Sequence, residues 1–462
     1  MRPTALLSYL WDKQQHVLDS YLARVRVDVV VTPAALVTDH LRRIAAAHGC
    51  ELVTVESLHP PRRRTTARSA PLQRALRRHL RTASWAPDDL DAESAAQVAG
   101  HLRTRLAVDV PIAVEVLDAL ARVDEAYDVV LFATSEDIVQ RSKVATAWAG
   151  AHGIPTVHLA HAIALVDPYT VHAHLLADTL VVYGERGAEG YLDLGIARER
   201  IEVTGNPSWD VYASLRHERE RLRRDLLAEH DLDPDAPIVV FGTTWSAHLT
   251  AQETGAAHAR TLSAFVAACV ELERSGVRVN AVVKDRPNNV AAGRDLLHRL
   301  VSEHGPTDQR FAYATDDPEP WVAGSDVLVA VDSNLLVEAM LAGTPAVNLV
   351  GVALRPIPPA FDGESGVVEA EPDELAAELR AILVDPAVRS ELAARTELRL
   401  SHYHHGGIDG RSTERVAALL VRLTRRPSRL RELRRRLTRQ RNRLRRRWRR
   451  ARRAARRRGG RD

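Results

Sequence analysis

The chain has 462 residues, 45% of them hydrophobic, enough to bury large cores and to fill two or three domains. Two cysteines, Cys50 and Cys269, exclude a disulfide framework or a cysteine metal cluster, and with no run apolar enough for a signal peptide or spanning helix they point to a soluble cytoplasmic protein. The net charge of +4 is unevenly spread: from Thr424 onward 21 arginines face only Glu432 and Asp462, a net +19, which leaves the preceding residues at −15.

In chain order, Thr4–Leu10, Val27–Val31 and Glu51–Val55 read as short strands separated by helical patterns over 11–24 and 36–47. Pro60, Pro61, Pro71 and Pro87 bracket a basic insertion over about 60–85 with Arg62, Arg63, Arg64, Arg68, Arg74, Arg77, Arg78 and Arg81, either a solvated helical excursion or a surface for an anionic partner. Helices follow to about Val123. Strands Val129–Ala133, Thr156–Leu159, Thr179–Tyr183 and Ile201–Val203 then alternate with helices, the second running into Ala160-His161 and the last into Thr204-Gly205-Asn206-Pro207. After an Arg-rich helix over 211–230 comes a second series: Ile238–Phe241, Val279–Val283, Arg310–Tyr313, Val327–Val331 and Ala346–Val350. Helices over 372–383, 386–400 and 412–423 close the ordered part. The fold class expected is α/β, two facing Rossmann-like domains. An N-terminal domain spans 1–210, a connecting helix and linker 211–236, a C-terminal domain 237–423 and an Arg-rich tail 424–462.

The most informative stretch runs from Ala323 to Leu349. Val327–Val331 is a continuous apolar run, as a strand buried on both faces requires. Asp332-Ser333 break it, Asn334–Ala342 carry helical spacing, Gly343 suits the C′ position and Pro345 precludes further helix. In a parallel α/β sheet the turn after such a strand lies at the ligand-binding edge. Ser333 can cap the helix, whose N-terminus suits a phosphate, and Glu338 lies one turn further, within reach of ribose hydroxyls. An ordinary capped helix with a surface Glu is the alternative. Two further loops belong to the same edge: Gly242-Thr243-Thr244-Trp245 offers hydroxyls, and Lys284-Asp285-Arg286-Pro287 offers two cations. Thr243, Thr244, Lys284, Arg286, Asp332, Ser333, Asn334 and Glu338 together supply what a nucleoside diphosphate donor needs.

This combination resembles the GT-B superfamily of two-Rossmann-domain glycosyltransferases. The nearest branch is that of CDP-glycerol glycerophosphotransferases and capsule or teichoic-acid polymer transferases, over about 129 to 423. Thr243-Thr244-Trp245 is similar to that branch's Pro-Thr-Trp, and Glu338-Ala339-Met340-Leu341-Ala342-Gly343-Thr344-Pro345 to a segment recurring across GT-B donor domains. Val283-Lys284-Asp285-Arg286-Pro287 stands at its Arg/Lys-Pro-His-Pro without the histidine, and Val331-Asp332-Ser333-Asn334 at its Thr-Asp-Tyr-Ser-Ser, one serine short. Asp409-Gly410-Arg411-Ser412 resembles its Asp-Gly-Lys-Ala. His161 matches the His of its Gln-His-Gly, with Ala162 in place of the glycine. Thr204-Gly205-Asn206 resembles a segment of the related UDP-N-acetylglucosamine 2-epimerases, whose Gly-Thr-Arg-Pro-Glu and His-Arg-Glu-Asn are missing here.

The resemblance implies transfer of a glycosyl or polyol-phosphate group from a nucleotide donor to an acceptor hydroxyl of a glycan or lipid-linked acceptor. It implies no cofactor and no metal, because a helix N-terminus and basic side chains stabilise the departing phosphate. Asp89-Leu90-Asp91 and Asp231-Leu232-Asp233 match Asp-X-Asp but read as turn and capping residues. His161 is the candidate general base, with Asp137 as the alternative. His402, His404 and His405 lack a fourth ligand for a metal. In the tail, Leu430, Leu433, Leu437, Leu444 and Trp448 share one helical arc amid arginine, the pattern of a basic amphipathic helix. An anionic membrane surface is its expected partner, with nucleic acid ranked lower. A non-catalytic scaffold that binds a nucleotide or glycan is the competing class.

Overall fold

The computed structural model describes residues 2–58, 62–81, 91–137, 139–162, 175–243, 251–285, 293–305, 307–352, 361, 363–425 and 437; at 62–66 and 251–254 it describes backbone only. Thr244, Arg286 and, apart from Leu437, the tail beyond Arg425 lie outside these residues.

The chain forms two parallel sheets. The strands of the first are β1 Thr4–Tyr9, β2 Val29–Thr32, β3 Glu51–Thr54, β4 Asp128–Thr134, β5 Thr156–Leu159, β6 Thr179–Val182 and β7 Ile201–Val203. Those of the second are β8 Ile238–Gly242, β9 Asn280–Lys284, β10 Arg310–Ala314, β11 Val327–Ala330, β12 Ala346–Leu349 and β13 Val367–Ala370. The spatial orders are β3-β2-β1-β4-β5-β6-β7 and β10-β9-β8-β11-β12-β13. Both begin with the doubly wound 3-2-1-4-5-6 order, in which the connections leave the first and fourth strands in opposite directions and open a crevice at their carboxyl ends. The register across that point is parallel in each sheet, Leu7 beside Phe132 in the first and Ala330 beside Gly242 in the second.

Burial explains why these segments are strands. In β1, Leu6 faces one core with Val30, Leu131 and Val157, while Ala5 and Leu7 face another with Val29, Val31 and Phe132. Both faces are covered, so the strand reads as an unbroken apolar run. In the second sheet Val239, Phe241, Ala281, Val283, Val327, Val329, Val347 and Leu349 share one core face.

Three local results differ from the sequence reading. The stretch 211–230 is two helices, Tyr212–Leu215 and Arg219–Glu229. The region before Val123 is one long helix, Ala92–Ala126, with Pro111 inside it. A sixth strand, β13, completes the second sheet; its Glu369 is exposed and interrupts the apolar run of the segment.

The compact units do not follow chain order strictly. One comprises 1–161, 174–181 and the chain from Val416; the other comprises 162–173 and 182–415. The last described helix, Ser412–Arg425, seats Val416, Ala417, Leu419 and Leu420 in the core of the first unit. Its end is fixed there by the Tyr21 hydroxyl, 2.9 Å from Thr424 Oγ1, and by Arg425, which donates to the carbonyl of Arg24.

Gly184 follows β6 and begins helix Glu185–Asp193; a Cβ there would lie 2.3 Å from the His402 carbonyl oxygen and 2.4 Å from the Tyr403 carbonyl carbon. Backbone cannot yield as a side-chain tip can, so Gly184→Ala is expected to destabilise the fold by about 2–3 kcal/mol in urea unfolding. Gly100→Ala, inside the long helix with nothing within 4 Å of the new methyl, is expected instead to be neutral or to stabilise by about 0.5–1 kcal/mol.

Candidate functional site

At the switch point of the second unit, β8 ends in Gly242. A side chain there would meet Leu335 Cδ1 at 2.3 Å, so the glycine lets the first turn of helix Asn334–Ala342 approach the strand end. Ser333 caps that helix by accepting from the Leu335 amide, and Gly343 ends it in the left-handed conformation. Asp332, which joins β11 to the helix, has a φ of +42°, a strained value for a residue with a side chain. Asn348 on β12 holds it: its Oδ1 accepts from the Asp332 amide at 2.9 Å and its Nδ2 donates to Asp332 Oδ1 at 3.0 Å. Burial raises the Asp332 carboxyl pKa, and the Asn348 bond opposes the shift.

Glu338 is 6% exposed, so it is no surface residue. The Tyr212 hydroxyl donates to its Oε2 at 2.7 Å. Burial, reinforced by the Glu338 charge, pushes the pKa values of Tyr212 and Tyr183 well above ordinary, so both hydroxyls stay protonated.

Beside this turn, three strand ends meet on Asp285. Its carboxylate accepts from Thr243 Oγ1 at 2.6 Å and from the Tyr313 hydroxyl at 2.9 Å. Lys284 is 5% exposed and its Nζ donates to the Asp285 carbonyl at 2.8 Å. Burial lowers the lysine pKa, while the charges of Asp316, Asp285, Glu319 and Asp317 act to raise it. Thr243, Lys284, Asp332, Ser333, Asn334 and Glu338 thus lie on strand ends and a helix start at one edge of one sheet. Thr244 and Arg286, outside the described residues, follow Thr243 and Asp285 directly in the chain.

The first unit has its own polar edge at the β1/β4 switch point. The Ser135 carbonyl accepts from His161 Nδ1 and from His158 Nε2, each at 3.1 Å. With the His161 proton on Nδ1, its lone pair resides on Nε2, the nitrogen a general base uses. Asp137 is buried: Oδ2 accepts from the amides of Leu176 and Ala177 at 2.7 and 3.0 Å, and Oδ1 lies 3.3 Å from His158 Nδ1. Burial would raise its pKa, but the His158 interaction and the two amides outweigh it and the carboxyl is lowered. Asp137 therefore fastens the 176–177 segment, and it does not cap helix Gln140–Ala151, whose N-cap Val139 makes no side-chain bond. Its neighbour Glu136, 9% exposed, behaves oppositely: burial raises its pKa, with Asp137 adding to and His158 opposing the shift. The sequence reading singled out Asp137 and passed over its neighbour Glu136.

Three groups outside these edges have structural work. His404 Nδ1 donates to the Gly407 carbonyl at 2.7 Å and Nε2 accepts the Asn206 amide at 2.9 Å, which fixes a neutral ring. Asn206 Oδ1 accepts from the Ser208 amide, so Thr204-Gly205-Asn206 is tied into this local turn. Among the described residues no three His, Cys, Asp or Glu side chains converge as metal ligands. Asp91 caps the long helix by accepting from the Ser94 amide, and Asp233 accepts from the Asp235 amide, as capping and turn residues do.

No protein-family model matches the chain, and no curated protein matches it in sequence. Solved structures share its fold. A UDP-GlcNAc 2-epimerase from Neisseria meningitidis, bound to UDP-GlcNAc, is 12% identical with a TM-score of 0.53, covering 90% of this chain and 99% of that one. HepE from Anabaena, in complex with UDP and glucose, is 14% identical with a TM-score of 0.51 (91% and 99% covered). A glycosyltransferase from Rickettsia africae is 10% identical with a TM-score of 0.52 (92% and 99%). The fold is therefore that of a GT-B-like protein, two parallel α/β sheets in one chain.

The buried neutral His404 has a pH consequence. Its pKa is depressed in the fold by burial, against the Gly407 and Asn206 bonds and the Asp210 charge and with the Arg415 charge. Its contribution to stability is complete above pH 6.5, the ordinary value. It declines as the pH falls from there towards the depressed value, because the unfolded chain takes up the proton first. His404→Gln is expected to melt earlier at about pH 8 but to lose less on going to about pH 5, a difference read from thermal midpoints.

Proposed function

We propose that the chain is a transferase moving a glycosyl or polyol-phosphate group from a nucleotide-activated donor to an acceptor hydroxyl in cell-surface polysaccharide or teichoic-acid-type polymer synthesis. The observation carrying this reading is the second switch point, where helix Asn334–Ala342, capped by Ser333, starts beside Thr243 and carries buried Glu338 one turn in. The helix start and the Thr243 and Ser333 hydroxyls suit a diphosphate, and Lys284 is the nearby cation whose present carbonyl bond a phosphate oxygen would replace. The Glu338 carboxylate, oriented by Tyr212, takes the ribose hydroxyls. Asp332 and Asn334 frame the turn, Thr244 and Arg286, next in sequence to Thr243 and Asp285, are assigned to the same donor site, and departure of the phosphate calls for no metal. In the first unit His161 Nε2 removes the acceptor proton. Structures with this fold have been solved with UDP, glucose and UDP-GlcNAc, which supports a nucleotide-sugar donor. The polymer branch rests on the sequence resemblance alone.

An epimerase is the third reading, behind the scaffold, and a UDP-GlcNAc 2-epimerase shares the fold. Its weight is reduced because Thr204-Gly205-Asn206 has a local structural role through His404. We place the protein in the cytoplasm, held on the inner face of the membrane by the Arg-rich tail; no described helix is long and apolar enough to cross a bilayer. About 1 kcal/mol per arginine near an anionic surface makes so dense a run sufficient for attachment.

Thermal melting of the full chain against UDP, CDP, GDP and their sugar or glycerol conjugates tests the donor site. One base is expected to stabilise by about 2.7 kcal/mol at a hundredfold excess over Kd, an effect lost in Glu338→Gln and reduced in Lys284→Ala. No stabilisation by any nucleotide would remove the assignment, and binding without release of a nucleoside phosphate on incubation with membranes would favour a scaffold. For the tail, truncation is best made after Arg425, because Thr424 is bonded to Tyr21. Truncated protein is expected to lose salt-sensitive flotation with anionic vesicles; retained flotation would exclude the tail as anchor.

A further inference from the structure

Four tryptophans are among the described residues, and Trp148, Trp209 and Trp321 are buried, but Trp11 is 39% exposed. It stands just beyond the carboxyl end of β1, at the first sheet's switch point. A lone exposed aromatic would need no explanation. Trp11, however, is held by groups beyond the ends of two other strands, β4 and β5. Its amide donates to Ser135 Oγ at 2.7 Å, beyond β4, and Ser135 Oγ in turn donates to Gln14 Oε1. Gln14 Nε2 donates to the Ala160 carbonyl at 2.8 Å, beyond β5. The indole packs on the His161 ring, centroids 4.5 Å apart and planes 43° apart. Gln14 and Ser135 are both buried, so a wholly internal network presents a partly exposed indole beside the imidazole.

We propose that Trp11 is a stacking platform for a pyranose ring of the acceptor, so that the acceptor is a sugar residue and not a linear polyol phosphate. A pyranose in its chair form offers a face of C–H groups that packs on an indole, while its rim hydroxyls need polar partners. His161 lies against the platform as a polar neighbour. A polyol-phosphate chain has no rigid apolar face, so it gains little from an aromatic plane and brings charge that burial penalises. The inference rests on reading this edge as the acceptor side of the transferase, and it narrows the acceptor class that reading leaves open.

The test is saturation-transfer NMR on the full chain with N,N′-diacetylchitobiose, methyl β-D-glucoside and a glycerol phosphate oligomer as separate probes, with nucleotide stabilisation measured on the same samples. Transfer to ring C–H protons of at least one saccharide is expected, with affinity about tenfold weaker in Trp11→Ala and largely restored in Trp11→Phe. Nucleotide stabilisation should be equal in all three proteins, which also shows that the variants fold. Equal saccharide signals in wild type and Trp11→Ala would overturn the platform. So would a Trp11-dependent signal from the glycerol phosphate oligomer with none from the saccharides, or no saccharide signal from wild type that binds nucleotide. Trp11-dependent saccharide binding without stabilisation by any nucleotide would keep the platform and remove the donor reading.

Discussion

Parallel strands must be covered on both faces, and that requirement determines where this protein can hold polar chemistry. The helices that return the chain from one strand to the next occupy both faces of each sheet, so strand interiors are filled mainly with Val, Leu, Ala and Phe. Polar side chains can accumulate only at the edges where strands end. In both units the reversal of strand order opens one such edge, between β1 and β4 and between β8 and β11. The singled-out residues Thr243, Lys284, Asp332, Ser333 and, in the first unit, Asp137 and His161 sit there because the cores exclude them.

These edges are preorganised by groups that a binding argument would otherwise treat as ligands. Asp285 draws Thr243 and Tyr313 together, Asn348 holds the strained Asp332 turn, and Tyr212 orients Glu338. In the first unit the Ser135 carbonyl sets the His161 tautomer, and Asp137 is committed to the Leu176 and Ala177 amides. Buried polar groups left unsatisfied would cost about 1–3 kcal/mol each, so such networks are needed for the fold and at the same time narrow the positions from which a side chain can act. A carboxylate already bearing two amide bonds is a poor base. Burial instead raises the carboxyl of neighbouring Glu136, which holds its proton more readily.

Much of the fold was legible because buried strands and capped helices carry local signatures. The apolar run Val327–Val331 and the Ser333 to Gly343 frame anticipated β11 and its helix to within a residue. β13 escaped because Glu369 interrupts its apolar run, and strand pairing, which no local window contains, is what makes it a strand. Of the polar partners, Asn348 gave a signal as an amide inside an otherwise apolar strand. Tyr212 gave none: it lies 126 residues from Glu338, in a stretch whose local pattern suggested only a connecting helix.

The sequence by itself determined the alternation of strand and helix, the doubly wound class, the residues at the strand ends and the concentration of arginine beyond Thr424, because each depends on residue type and short-range spacing. Only the tertiary structure decided which neighbours those residues meet. It returned helix Ser412–Arg425 to the core of the first unit, buried Glu338 against Tyr212, committed Asp137 to backbone amides and left Trp11 exposed beside His161. Burial and hydrogen-bond satisfaction are sums over residues far apart in the chain, so what a carboxylate or an indole can do becomes defined only when the strand order brings those residues together.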